Sequence, residues 1–317
     1  FTVLRWANTA CTGASSNIGS CYTKEECQAI GGAEDGSCAM GYGVCCYKAI
    51  RCGQESSTNC TYLVSPHWPG TYNQARECTM RIHRMPDTCQ LRMDFVDFNS
   101  VQPDDTGICN EDQFSVSGEI KFTHFCGSSP ADWHFYLDVA NKADPTEFKF
   151  LTSTANYDRR FKIKITMIPC AQKIPCGCGQ YFRGNTGIIQ SWNYPGTYPA
   201  GVNYGICFRK EKGKCTTTLT RAGPSFVSCA GNDLYRQPLG QSNGDTVIAG
   251  LNTLNLYCQL NCIPGVAFID PVCTMPTPVT TVNNGPMIIH HNTNIDGFTN
   301  QNNGVSGFYQ TFEKNNC

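Results

Sequence analysis

Apolar and polar residues alternate with a period of two along the regular parts of this chain. Leu91-Arg92-Met93-Asp94-Phe95 and Arg160-Phe161-Lys162-Ile163-Lys164-Ile165-Thr166-Met167 each set one face toward a core and the other toward water, which predicts half-buried strands. Thr246-Val247-Ile248-Ala249 and Gly307-Phe308-Tyr309-Gln310-Thr311-Phe312 predict two more. One helix signal stands out. Thr23 followed three residues later by Glu26 forms a capping box and predicts one or two helical turns over 24–30.

A repeat organises the chain. Trp68-Pro69-Gly70-Thr71-Tyr72 recurs as Tyr194-Pro195-Gly196-Thr197-Tyr198, an offset of 194 − 68 = 126 residues. Cysteines bracket both copies, Cys52 and Cys78 around the first, Cys178 and Cys207 around the second. Cys109-Asn110-Glu111-Asp112 is echoed by Cys229-Ala230-Gly231-Asn232-Asp233. Ahead of the repeat, residues 1–50 hold six cysteines among Gly and Ala, too short a stretch for a useful core without cross-links. The expected organisation is a disulfide-rich segment at 1–50, one β domain at 51–171 and a second, more divergent one at 172–317. Pro169 and Pro175 stiffen the short linker between the domains, which predicts a fairly fixed angle between them.

Composition narrows the setting. The 317 residues include 22 cysteines, an even number that an oxidising compartment would pair, which points to a secreted, extracellular protein. Paired C-x2-C zinc patterns are absent. Net charge is −1, so nothing steers the chain to nucleic acid or anionic membrane. No apolar run approaches the roughly 20 residues of a membrane span. Phe1 reads as a mature N-terminus after signal cleavage, and Asn59-Cys60-Thr61 is the single N-glycosylation sequon.

Catalytic signatures are weak. The six histidines form no His-Glu-x-x-His. Gly240-Gln241-Ser242-Asn243-Gly244 fits Gly-x-Ser-x-Gly, but a β-like run follows it where a nucleophile elbow needs a helix, so it reads as a polar hairpin turn. His290-His291 reads as part of an Asn-rich exposed loop rather than a metal site. Arg209, Lys210, Lys212 and Lys214 read as a solvated hairpin. Trp68, Tyr72, Trp192, Tyr194 and Tyr198 sit at both repeated turns, which suits packing beside disulfides better than a ligand contact. The chain is expected not to be an enzyme.

These features resemble the CUB family. The spacing from Cys52 to Cys78, the turn Ser65-Pro66-His67-Trp68-Pro69, the amphipathic strand after Leu91, and Cys109, Asp112 and Cys126-Gly127 match its pattern over most of 52–170. The second half matches through Ser191-Trp192-Asn193-Tyr194-Pro195 and departs from it at Cys258, which no Gly follows. The first 50 residues are similar to the leader of secreted arthropod CUB-domain proteins. The resemblance implies a mostly β fold of tandem antiparallel β-sandwiches behind a small disulfide-rich segment. It implies the pairs Cys52–Cys78, Cys109–Cys126, Cys178–Cys207 and Cys229–Cys258. Cys60 with Cys89 is a further assignment, made without its support. It also implies a calcium site in the first module with Asp112 as a ligand, and Asp233 in the corresponding place of the second. The other family carboxylates are replaced, at Phe98-Asn99 and near Thr152-Ser153, though Asp104 or Asp105 could substitute. The alternative is that Asp112 and Asp233 turn the chain beside a disulfide. No other cofactor is implied.

The expected function is protein–protein interaction outside the cell, including self-assembly as a structural or matrix component. The alternatives are a monomeric recognition module for a heterologous protein or glycan, and a protease-associated regulator.

Overall fold

The computed structural model describes residues 8–223 and 307–317, together with the backbone of five short strands between them. The N-terminal segment contains β1 (Ala10–Thr12), β2 (Ile18–Tyr22), α1 (Lys24–Ala29), β3 (Ala33–Cys38) and β4 (Gly43–Ile50). The capping box forms as the sequence predicts. Thr23 Oγ1 accepts the Glu26 N–H at 3.1 Å, and Glu26 Oε2 accepts the Thr23 N–H at 2.9 Å. Disulfides Cys11–Cys45, Cys21–Cys38 and Cys27–Cys46 hold the segment together.

The first module contains β5 (Glu55–Ser56), β6 (Thr61–Val64), β7 (Arg76–Ile82), β8 (Thr88–Asn99), β9 (Gln113–Val116), β10 (His134–Asp138), β11 (Thr146–Thr152) and β12 (Arg160–Pro169). One sheet runs β1-β2-β4-β6-β12-β8-β10 with β3 beside β4, and the facing sheet runs β5-β7-β11-β9. Leu91, Met93 and Phe95 of β8 point inward, as their alternation predicts, but Phe98 is out of step. A β-bulge resolves the conflict. Ile163 pairs with Phe95 and Lys162 with Asp97, so Val96 is the extra residue and is exposed. Phe98 thereby returns to the core, where it meets Phe114, Phe150 and Phe161. Each such side chain stabilises by roughly 1.5–3 kcal/mol when fully buried.

The N-terminal segment is not a separate bead. Its β4 lies parallel to β6, with Lys48 opposite Thr61 and Ile50 opposite Leu63. The Tyr62 hydroxyl donates to Ile18 O and accepts the Ile18 N–H, both at 3.0 Å. Lys162 Nζ donates to Asn17 Oδ1 at 2.6 Å and lies over the rings of Tyr47, Tyr62 and Trp68.

The second module contains β13 (Cys178–Phe182), β14 (Thr186–Gln190), β15 (Asn203–Phe208), β16 (Lys214–Arg221), β17 (Phe226–Ser228), β18 (Thr246–Ala249), β19 (Val272–Thr274), β20 (Val279–Thr280), β21 (Ile288–Asn292) and β22 (Tyr309–Asn316). They form sheets β13-β15-β21-β18 and β14-β22-β16-β20, plus the pair β17-β19. His290 and His291 lie in β21, between β15 and β18, so the loop expected there is a strand. Ser242, Asp233, Cys229 and Cys258, with the pair assigned to the last two, lie outside the described residues.

Disulfides join Cys52 to Cys78, Cys109 to Cys126 and Cys178 to Cys207. The assignment of Cys60 to Cys89 is wrong. Cys89 bonds Cys170, and Cys60 is a buried free thiol. The register explains the choice. Ile168 pairs with Gln90 and Pro169 with Thr88, so Cys89 is the extra residue of a bulge at the ends of β8 and β12, and its Cα lies 4.8 Å from that of Cys170. Cys215 bonds Cys317.

Candidate functional site

The repeated turns do different work in the two modules. Trp192 stands where the first copy has Pro66 (192 − 126 = 66), and its side chain leaves its own module. It enters the core of the first, stacked on Phe125 at 4.7 Å and edge-on to Phe95, Trp133 and Phe98 at 4.8, 4.9 and 5.1 Å. The indole N–H donates to Cys126 O at 2.6 Å. In return, the Trp133 indole donates to Gln190 O at 3.1 Å. Asn193 Oδ1 accepts the Ser128 N–H at 2.8 Å. Gly127 makes room for it, because a Cβ there would lie 2.3 Å from that oxygen.

Ionisable groups close the rest of the seam. Lys121 Nζ is paired with Asp138 at 2.7 Å and donates to Tyr136 O and to Cys178 O across the seam. His134 Nε2 accepts the Tyr181 N–H at 3.1 Å. Burial, then the charge of Arg92, pushes the His134 imidazole down to about 4, so it stays neutral and able to accept. The packing reading of the turn aromatics fits Tyr72, Trp192 and Tyr198, all buried, and Tyr194, which stacks on Tyr309.

Asp112, the candidate calcium ligand, is differently engaged. It is 2% exposed, and its Oδ2 and Oδ1 accept from Arg159 Nε at 2.6 Å and Nη2 at 3.0 Å. The Val101 and Ser153 N–H groups donate to the same two oxygens at 3.0 Å. Asp104 closes its own turn, accepting from Thr106, Ile108 and Asn110. Asp105 is exposed in that turn. Among the described residues, no three His, Cys, Asp or Glu side chains group to hold a metal. The residues at Asp112 therefore do not fit a calcium ion, and the assignment of this carboxylate as a metal ligand is corrected: it is the partner of a buried guanidinium.

One edge lies open. Lys314 N–H donates to Asn185 O and Ser191 N–H to Phe308 O, so odd-numbered residues of β14 face β22. Thr186, Ile188 and Gln190 turn their backbone groups the other way, and among the described residues only Gln190 O meets a partner, the Trp133 indole. Ile188 is 46% exposed. The strand Thr186-Gly187-Ile188-Ile189-Gln190 carries no charge, proline or bulge. Other edges among the described residues are shorter, charged or occupied. β1 has three residues and β5 two. Exposed Glu34 and half-buried Asp35 lie in β3. Phe125 bridges the outer side of β9.

Two domain models match this chain, the CUB domain over residues 52–165 and the animal CUB domain over residues 175–315. It is a CUB-domain protein. Dog cubilin is 27% identical over 158 residues, 48% of this chain, and rat cubilin 30% identical over 144 residues, 45% of this chain. The chain spans about 4% of the length of these curated relatives. Among solved structures, the CUB1-EGF-CUB2 domains of rat MASP-1 align over 84% of this chain and 99% of that one, at 16% identity and a TM-score of 0.30.

CUB domains are typically non-catalytic binding modules. Asn59 is half-buried, with Oδ1 accepting the Met167 and Cys60 N–H groups at 2.8 and 2.9 Å. Burial pushes the Cys60 thiol up, which keeps it protonated. Arg209 pairs with Glu211 in the hairpin between β15 and β16, within the basic run. No helix is long and apolar enough to cross a membrane among the described residues. Sequence reasoning missed the seam and Arg159. Trp192 at a turn that otherwise holds Pro66 was the available signal for the first. Nothing local marked the second.

Proposed function

We propose that this chain acts outside the cell as a non-catalytic protein–protein interaction scaffold, and that it associates with a second copy of itself through β14. Eight disulfides among the described residues support the extracellular setting, because a reducing cytosol would open them. The single observation that carries self-association is the uncharged open edge at Thr186 and Ile188, since exposed edges template pairing unless charge, proline or a bulge blunts them. Antiparallel pairing about Gly187 sets Thr186 of one copy opposite Ile188 of the other, an isologous contact that closes as a two-fold dimer. A net charge of −1 leaves little repulsion between copies. So short an edge makes a weak contact, so the dimer should dilute away. The two CUB domains are proposed as 51–171 and 172–317, and Asn59 as a glycan carrier, which loss of mass on deglycosylation would reveal.

Light scattering across a concentration series tests the reading. The wild-type mass should climb from 34.9 kDa toward twice that value. Ile188→Lys should hold it at the monomer while leaving the thermal midpoint unchanged, because the side chain is exposed. A wild-type mass that stays at the monomer throughout rejects self-association and leaves a heterologous protein as the partner.

A further inference from the structure

The guanidinium of Arg159 does more than neutralise Asp112. It lies among six oxygens. Two belong to the Asp112 carboxylate. Nη1 donates to Ala155 O at 3.1 Å and Tyr157 O at 3.0 Å. Nη2 also meets Ser153 O at 3.3 Å and Ser153 Oγ at 3.2 Å. One carboxylate, three backbone carbonyls and a hydroxyl converge on a site whose central side chain is 1% exposed. Oxygens of this kind are what a hard cation takes. Nothing else in the first module gathers so many acceptors around one positive centre.

Charge decides which cation the cage suits. Asp112 supplies a single negative charge, which a guanidinium balances. A divalent ion in the same place would leave one positive charge buried and unpaired, at a large desolvation cost. Asp104, the nearest candidate for a second carboxylate, has both oxygens committed to its own turn. The planar fork of Arg also matches the carboxylate edge with two hydrogen bonds, which a point charge cannot do.

We propose that Arg159 is a covalently tethered cation that fills this oxygen cage permanently and orders one end of the first sandwich without any free metal ion. The chain segments it gathers come from four places. Asp112 lies beside the Cys109–Cys126 disulfide, and its carboxylate holds Val101 in the loop after β8. Ser153, Ala155 and Tyr157 belong to the connection between β11 and β12. The Arg159 backbone bridges Tyr72 at the end of the first repeated turn, N–H to O in both directions at 2.8 and 3.0 Å. In a module that borrowed calcium for this task, loop order would rise and fall with the free ion. Here the positive charge is part of the chain, so the loops, and any contact they make, hold their shape at every calcium level.

The test uses the full chain. Thermal midpoints and hydrogen exchange at the Val101 and Ser153 amides are measured in excess calcium and in excess chelator. The expected result is no shift in midpoint and equal protection of both amides. A midpoint that falls in chelator, or loss of protection at either amide, overturns the proposal without any variant. Arg159→Ala supplies the converse. It should lower the midpoint strongly and unprotect both amides, and millimolar ethylguanidinium should restore part of each. If Arg159→Ala does not fold, Asp112→Asn with Arg159→Met removes both charges together. That double variant should melt above Asp112→Asn alone, which leaves the guanidinium unbalanced. Double and single variants melting alike, or calcium stabilising the wild type, would remove the tethered-cation role.

Discussion

Trp192 and His134 carry the seam between the modules at the level of single side chains. Trp192 is 1% exposed and packs against aromatic rings of the other module. Trp192→Ala should therefore cost about 3–5 kcal/mol, the range for truncating a buried aromatic, read as a shift in denaturant midpoint. A loss below about 1 kcal/mol would mean the indole is not part of the core. His134 predicts a pH response. Its folded pKa of about 4 lies below the ordinary 6.5, so the unfolded chain takes the proton first. Stability is at its full value above pH 6.5 and falls as the pH drops toward 4. The pKa difference of 6.5 − 4 = 2.5 corresponds to about 3 kcal/mol at most. His134→Gln keeps an acceptor for the Tyr181 N–H and cannot titrate, so its stability curve should be flatter than the wild type's between those limits. Parallel wild-type and variant curves would show that another group sets the acid response.

At the scale of elements, alternation carried the sequence reading a long way. The inward residues of β8 and β12 and the helix after Thr23 follow from local pattern, because side-chain period and capping are properties of neighbours in the chain. Thr23→Ala should cost about 1 kcal/mol in unfolding free energy, and an unchanged midpoint would mean the three flanking disulfides already hold the helix. Non-local choices were out of reach. The partner of Cys89 depends on the register of β8 against β12, which no spacing encodes, and on a loop of 81 residues. Closing a loop that long is worth about 4.5 kcal/mol in the chain-entropy model. The same limit hid Arg159. It is 47 residues from Asp112 and joins it only because β9 and β12 start at the same corner of the sandwich. A family position with one carboxylate left looked like a poor calcium site, when the missing charge had been supplied with the opposite sign. In β21, asparagine-rich surroundings suggested a loop, and pairing with β15 and β18 overrode that composition.

The whole molecule is stiffer than two beads on a short linker. Sequence predicted a fixed angle from Pro169 and Pro175, but the linker is the lesser cause. Backbone hydrogen bonds cross directly between modules, from Asn203 N–H to Lys121 O at 2.7 Å, Thr123 N–H to Gly201 O at 3.1 Å and Ala200 N–H to Gly107 O at 2.7 Å. Phe122, Phe125, Trp133, Trp192 and Tyr204 belong to one continuous core. Separating the modules would expose that core, leave the Trp192 indole without its acceptor and take Cys178 O from Lys121, so hinge motion is opposed by desolvation as well as by lost packing. A rigid frame also fixes where β14 points, which a self-associating scaffold needs if copies are to meet in one geometry. Nitrogen relaxation should therefore return a single correlation time for amides in β8 and in β13 to β15, measured at dilution where the chain is monomeric. Trp192→Ala should split that value while both sets of amides stay folded, because without the aromatic plug the backbone bonds across the seam are open to water and give way. Two correlation times in the wild type would mean that the modules rock about residues 170–177, and self-association through β14 would then have to tolerate a variable angle between copies.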